Sequence, residues 1–212
     1  VHSLAGQLIV GHILRFHEAM IQDLYFISEG EIGELQRIEF NRITPRQPPN
    51  YPNIFEAMAI HGIDTACYSF GELEPSRLTV GNVVLDYNNH PTNAKLSIEF
   101  PGMKEACINV GWNGREENRK IEYYGSKGSI TVETNEVNKL TITTGQADRT
   151  ILLNNIKAPL ARECQYLVDM TKSPYKHSIY QKHGSIIRRI KMVELANLEI
   201  QNTSIELNER IE

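Results

Sequence analysis

The fold is best indicated by the stretch Lys95–Val110, which reads K-L-S-I-E-F-P-G-M-K-E-A-C-I-N-V. Apolar residues occupy every second position on both sides of a turn at Pro101 and Gly102, namely Leu96, Ile98, Phe100, Ala106, Ile108 and Val110. Such alternation is typical of strands that bury one face. Because only a short turn links the two runs, the strands are predicted to be antiparallel neighbours.

The same alternation recurs on both sides of this hairpin. It is found over residues 34–43, 121–124, 129–133 and 140–143, with a very short strand predicted at 7–10. Helical spacing of apolar residues predicts helices over about 16–28, 54–70, 160–171 and 179–202, the last with Ile190 and Val193 on one side. This order predicts an α+β fold, a large, open, mainly antiparallel sheet with helices packed on one face.

The other face of this sheet carries Thr, Ser, Asn, Cys and Tyr together with Glu and Lys. Two interpretations stay open. The face is either exposed to solvent, or it meets a second copy of the chain, because wide and largely uncharged sheet faces often form subunit interfaces.

Composition excludes several classes of protein. The chain has 212 residues, a formal net charge of −4 at pH 7 and a sequence pI of about 6.0, so a nucleic-acid-binding surface is not expected. Cys67, Cys107 and Cys164 form no C-x-x-C pair, which argues against a disulfide framework or a zinc site. Neither a membrane-spanning run nor a signal peptide is found, so we expect a cytoplasmic location and no membrane partner.

The helix predicted over 54–70 carries the best candidate site. Ala57, His61, Asp64 and Tyr68 share one side, whereas a different side carries small and apolar residues suited to packing on the sheet, namely Phe55, Ala59, Gly62, Ala66 and Phe70. An imidazole held next to a carboxylate is suited to proton transfer. Three interpretations stay open: an acid/base site, two side chains that only hydrogen-bond each other or a loop, and a metal site completed by His12 or His17.

Five segments together resemble the Gfo/Idh/MocA oxidoreductases, named for glucose-fructose oxidoreductase and inositol dehydrogenase. They are L-I-V-G-H-I-L-R-F-H from Leu8, S-E-G-E-I-G-E-L-Q-R-I from Ser28, A-I-H-G-I-D from Ala59, I-E-Y-Y-G-S-K-G-S-I-T-V from Ile121 and E-C-Q-Y-L-V-D-M-T-K-S-P from Glu163. The resemblance extends from Leu8 to about Asn202. It concerns the substrate-binding domain of the family, which follows a dinucleotide-binding Rossmann domain.

This resemblance implies a domain division and a function. Residues 1–11 would be a remnant of the last Rossmann strand and helix, and residues 12–212 would form the substrate-binding and oligomerisation domain. The parent would transfer hydride between a sugar or polyol and NAD or NADP, as a homodimer or homotetramer built through the open sheet face. His61 would be the catalytic acid/base, with Asp64, Arg15 and His12 close to the substrate, and no metal ion is implied.

Two departures from the family pattern limit this expectation. The Gly-rich phosphate loop and the E-K-P motif of the family are both absent, and no G-x-G-x-x-G occurs in the chain. In addition, Ala57 stands where many dehydrogenase members have Asp, with Glu56 beside it. We therefore expect this chain to be inactive alone. The alternative is a non-catalytic sugar-binding or scaffolding module of the same fold.

Overall fold

The computed structural model describes residues 10–48, 53–112, 114–145, 147–154, 156–172 and 189–200. The strand predicted at residues 7–10 lies almost wholly outside these ranges, as does the first part of the helix predicted over 179–202. No helix within them is both long and apolar enough to cross a membrane.

Across the described ranges, the strands form one open sheet of eight. Their bounds are β1 Leu35–Ile43, β2 Arg77–Leu85, β3 Pro91–Phe100, β4 Lys104–Gly111, β5 Asn118–Gly125, β6 Gly128–Glu133, β7 Lys139–Thr144 and β8 Ala147–Leu152. The order across the sheet is β2-β3-β4-β1-β5-β6-β7-β8. Every neighbouring pair is antiparallel except β1 and β4, which confirms the predicted large, mainly antiparallel sheet.

The position of β1 was not predictable from alternation alone. It lies at the centre of the sheet, parallel to β4 on one side and antiparallel to β5 on the other, so that Phe40 is level with both Ile108 and Ile121. The other strands form two runs of sequential neighbours, β2–β4 and β5–β8, and β1 joins them.

The edge strands β2 and β8 do not show the alternation of buried and exposed residues either. Most residues of β8 are exposed, and β2 contains a register shift between Gly81 and Val84. Edge strands pair on one side only and commonly carry such bulges, so their side chains need not alternate between core and solvent.

The helices lie on one face of the sheet. A short 3-10 turn at Ile13–Phe16 precedes α1 (Glu18–Ser28), α2 ends at Ser69, α3 spans Pro159–Lys172, and α4 is described over residues 189–200. The first turn of α2, Phe55–Ala59, is π-helical and continues into an α-helix at Ile60. This π-helical turn was not expected, and such turns are frequent at functional sites.

Gly62 sets how closely α2 packs on the sheet. A Cβ atom at this position would lie 2.8 Å from Ile108 Cγ2 and 2.8 Å from Phe40 Cδ1, both side chains of the buried core. The side of α2 predicted to face the sheet is therefore the side that does so. The close approach also brings the helix that carries His61 next to β1 and β4.

Substituting Gly62→Val should destabilise the fold by about 1–3 kcal/mol, because the added methyl groups overlap with the core under α2. Urea unfolding at equilibrium measures the change. The matched control is Gly81→Val, since a Cβ at Gly81 would meet no atom within 4 Å. A Gly62→Val variant as stable as this control would contradict the proposed packing.

Asp23 is a fully buried acid of α1, beside the buried Tyr123 of β5. Burial raises the pKa of Asp23 well above its ordinary value, although the backbone of Leu24 and the hydroxyl of Tyr123 act in the opposite direction. A carboxyl whose pKa is higher in the folded state contributes most to stability below the unfolded value. That contribution is lost as pH rises towards the folded pKa.

Asp23→Asn should therefore become increasingly stabilising, relative to the original protein, as the pH rises above about 4. The difference in unfolding free energy should grow by at most about 1.4 kcal/mol per pH unit. Urea unfolding of both proteins between about pH 5 and pH 8 measures it. A difference that does not change with pH would show that Asp23 ionises in the folded protein.

Candidate functional site

The structure brings together three of the four predicted site residues. Arg15, from the 3-10 turn, donates two hydrogen bonds to Asp64 of α2. One runs from Nε to Oδ2 (2.9 Å) and the other from Nη2 to Oδ1 (2.6 Å). His12 Nδ1 lies 3.5 Å from Asp64 Oδ2. All three side chains are buried, and the chain segment before α1 therefore packs directly on α2.

Two further residues that were not predicted as site residues complete this cluster. Arg189 of α4 is 1% exposed and lies close to the Asp64 carboxylate through its Nε. Glu72, just beyond α2, accepts from Arg189 Nη2 at 2.9 Å and from Arg15 Nη2 at 3.3 Å. We call Arg15, Arg189, Asp64 and Glu72 the four-charge cluster. It joins three distant parts of the chain and has two positive and two negative charges.

A weak signal for Arg189 was present in the sequence. The predicted side of α4 contained Ile190, but Ile190 is 52% exposed. The buried side is instead formed by Arg189, Met192, Val193 and Ala196, which follow the spacing i, i+3, i+4 and i+7. An arginine in phase with buried apolar residues indicates a buried partner, here Asp64.

Electrostatics fix the charge states within the cluster. Burial opposes ionisation of Asp64, but the hydrogen bonds and the charge of Arg15 outweigh it, so the pKa of Asp64 lies below its usual value. Burial also acts to lower the pKa of Arg15, yet its bonds to Asp64 raise that pKa overall. The guanidinium of Arg15 also lies over the Tyr68 ring, 4.3 Å from its centroid. Asp64 is therefore a buried carboxylate held by two guanidinium groups, and its contact with a substrate stays a prediction.

His61 differs from these residues because it is only half-buried, at the start of the α-helical part of α2. Burial, the charge of Arg42 and then His12 lower the pKa of His61 to about 4, whereas Asp64 acts to raise it. The imidazole is therefore neutral at pH 7. A neutral, partly accessible imidazole can accept a proton from a hydroxyl group.

The remaining candidates of the sequence are separated from this chemistry. Ala57 and Glu56 are exposed within the π-helical turn, and Glu56 accepts from the Asn53 side chain at 2.9 Å. His17 is buried at the start of α1. Burial lowers the pKa of His17 overall, and a hydrogen bond with the backbone of Thr134 only partly opposes this effect. In the part of the chain that the structure describes, no group of three His, Cys, Asp or Glu side chains is arranged to hold a metal ion.

Comparisons with known proteins agree on one family. The family model described as the GFO/IDH/MocA C-terminal domain matches residues 25–131. Inositol 2-dehydrogenase from Rhizobium meliloti (strain 1021) is 28% identical over 163 residues, which cover 68% of this chain and 47% of that protein. The chain thus spans about half the length of this curated relative.

Solved structures show the same fold. UDP-N-acetylglucosamine 3-dehydrogenase GnnA from Acidithiobacillus ferrooxidans superposes with a TM-score of 0.76 at 18% identity, covering 91% of this chain and 61% of that one. Aldose-aldose oxidoreductase from Caulobacter crescentus, complexed with glycerol, gives a TM-score of 0.78 at 12% identity, covering 93% of this chain and 62% of that one. At such identities the likeness concerns the fold alone.

Proposed function

Because the chain belongs to the Gfo/Idh/MocA family, we propose that it is the substrate-binding part of a sugar or polyol oxidoreductase. The reaction moves a hydride between a carbinol carbon of the substrate and the nicotinamide of NAD or NADP. The observation that carries this proposal is the neutral, half-buried His61, placed at the start of α2 beside Arg42.

His61 handles the proton of the reaction. When a carbinol is oxidised, its hydroxyl proton must leave as the hydride leaves the carbon, and a neutral imidazole within hydrogen-bond reach accepts it. In the reverse direction the imidazolium returns the proton to the carbonyl oxygen. Asp64, Arg15 and His12 hold the start of α2 against the 3-10 turn, and they are proposed to line the substrate side of the site.

A dinucleotide would supply the hydride acceptor when bound, but the described residues do not suit its phosphates. Phosphates are commonly held where a glycine-rich loop opens a helix. The described glycines with positive φ instead lie at helix ends and tight turns, namely Gly30, Gly33, Gly71, Gly102 and Gly145. We propose that a Rossmann domain outside this chain binds the phosphates, that residues 1–11 belong to it, and that residues 12–212 form the second domain.

The open face of the sheet is proposed to join copies of the chain into a homodimer or homotetramer. Near its centre, Asn109 of β4 donates to Asn41 of β1 at 2.9 Å, so two amides satisfy part of their hydrogen bonding within the face. In the adjacent row, Cys107 and Thr131 lie on either side of Glu39 and Glu122. These two acids pair with Arg37 and Lys120. Such a face can be covered by its own copy without burying an unpaired charge at its centre.

One observation favours a second candidate function. Ala57 stands one turn before His61, where many dehydrogenase members have Asp, so that turn supplies no carboxylate to the imidazole. A non-catalytic sugar-binding or scaffolding module would need the fold and the cluster but not this acid.

Assays of the protein in two forms test the proposed function. The 212-residue chain and a form joined to its dinucleotide-binding domain are each mixed with NAD or NADP and a panel of sugars and inositols. We expect reduced nicotinamide only with the longer form. If the longer form binds sugars but reduces no cofactor with any of them, the binding-module alternative is the correct one.

A further inference from the structure

Two arginines lie side by side at the end of β1. Arg42 of β1 and Arg119 of β5 are directly opposite in the antiparallel register. Arg42 is in phase with the buried Phe40, and Arg119 is in phase with the buried Ile121, so both side chains belong to the helix-covered face. Both residues are half-buried.

The charge of this pair is not balanced by nearby acids. Among the described residues, Glu117 is the acid at ion-pair distance, 2.8 Å from Arg119 Nε, and its side chain is 42% exposed. Arg42 has no carboxylate within that distance in the same residues, and burial together with the charge of Arg119 lowers its pKa. Because Glu117 pairs with Arg119 and not with Arg42, the two guanidinium groups together form a site of net positive charge. The four-charge cluster, by contrast, is already neutral and needs no further anion.

The pair lies next to His61. Gly62 of α2 touches Phe40, and Arg42 follows Phe40 on the same face of β1, about 7 Å further along the strand. The charge of Arg42 is near enough to act on the imidazole of His61. A group bound between the two arginines would therefore be on the same helix-covered face as the proposed acid/base, within reach of its electrostatic field.

We propose that Arg42 and Arg119 bind an oxyanion of the substrate, a carboxylate or a phosphate, while His61 acts on a neighbouring carbinol. The substrate class is then an anionic sugar or polyol derivative rather than a neutral one. This inference rests on the proposed function. Guanidinium groups suit the role because their fixed N–H donors match carboxylate and phosphate oxygens in pairs, and charge-assisted bonds of this kind are strong.

Calorimetric titration without cofactor tests the proposal with three probes of similar size, glucose, glucuronate and glucose 6-phosphate. We expect at least one anionic probe to bind about tenfold or more tightly than glucose, and the better of the two identifies the oxyanion. Arg42→Gln and Arg119→Gln should each remove most of this preference. Arg77→Gln is the control, because Arg77 is 66% exposed on the edge strand β2, and it should keep the preference.

The titration of the His61 imidazole provides a second test of the proposal, and it requires no substitution. The groups that act on it are Arg42 of β1, His12 of the segment before α1, and Asp64 of its own helix. A bound oxyanion offsets the charge of Arg42, so the NMR titration midpoint of His61 should move upward with glucuronate or glucose 6-phosphate, and not with glucose. This direction follows from the attraction between an anion and the protonated ring.

Three results would overturn the proposal: equal affinity for glucose and both anions, no binding of either anion up to about 10 mM, or a preference that survives both arginine substitutions. None of these results bears on hydride transfer, since the titrations contain no cofactor. Conversely, anion binding can be found in a protein that reduces no nicotinamide. The two proposals therefore fail separately.

Discussion

Replacing His61 with Gln in the protein joined to its dinucleotide-binding domain is expected to lower kcat/KM for substrate oxidation by about 10²–10⁴-fold. The amide keeps much of the shape and polarity of the ring but cannot accept the proton. Unfolding curves should be nearly unchanged, because His61 is half-buried and does not belong to the four-charge cluster.

The pH dependence of the same reaction provides an independent check. A base with a pKa of about 4 is protonated only in acid, so kcat/KM for oxidation should fall as the pH drops through about 4. The residual kcat/KM of His61→Gln should no longer show this fall at acidic pH. The control is His90→Gln, whose ring is 46% exposed beside Asp86 and far from α2 in sequence, and it should leave kcat/KM unchanged. A His61→Gln enzyme within about threefold of the original would exclude acid/base catalysis by this residue.

Removing the charge of Asp64 should cost about 3–5 kcal/mol of stability, the usual consequence of breaking a buried ion pair on one side. In Asp64→Asn, the guanidinium groups of Arg15 and Arg189 stay buried but lose the carboxylate that both contact. Glu72 contacts both guanidinium groups, but its side chain is 35% exposed and is the weaker partner. Urea unfolding measures the loss, and α4 should lose hydrogen-exchange protection first because Arg189 anchors it.

Acid should reproduce part of this effect in the original protein. The folded pKa of Asp64 is below the unfolded value of 3.8, so its ionisation stabilises the fold above that value, and the contribution is lost as the pH falls through the folded pKa. Glu31→Gln is the matched control, since the Glu31–Arg149 pair is solvent-exposed and should be worth less than about 1 kcal/mol. An Asp64→Asn variant no less stable than Glu31→Gln would mean that the cluster is open to water.

Local patterns predicted more of the fold than of the site. Alternation located β1 and β3–β7, and helical spacing placed Gly62 on the side of α2 that packs on the sheet. The parallel pairing of β1 with β4 could not be predicted, because pairing depends on contacts between distant segments rather than on any property of either strand. For the same reason, the sequence could not predict that Arg15 and Arg189 contact the same carboxylate, that of Asp64.

The basic pair was nevertheless detectable in principle. Arg42 continues the phase of Ile38 and Phe40, and Arg119 precedes Ile121 and Tyr123 in the same way. A charged residue that falls on the apolar phase of a strand indicates either a buried partner or a ligand. Arg42 is the first charged residue in the apolar phase of β1, and it is the informative one.

The central position of β1 also bears on how the chain acquires its structure. β2–β4 and β5–β8 are each made of sequential neighbours and can form from local contacts. In contrast, β1 pairs with β4, which follows it after two other strands, and with β5, which follows it after three. Its pairings raise the contact order, and proteins of high contact order fold slowly. Until β1 is inserted, β4 and β5 are open edges able to pair with another chain. During folding the sheet is therefore expected to pass through an aggregation-prone stage, which ends when β1 occupies its centre.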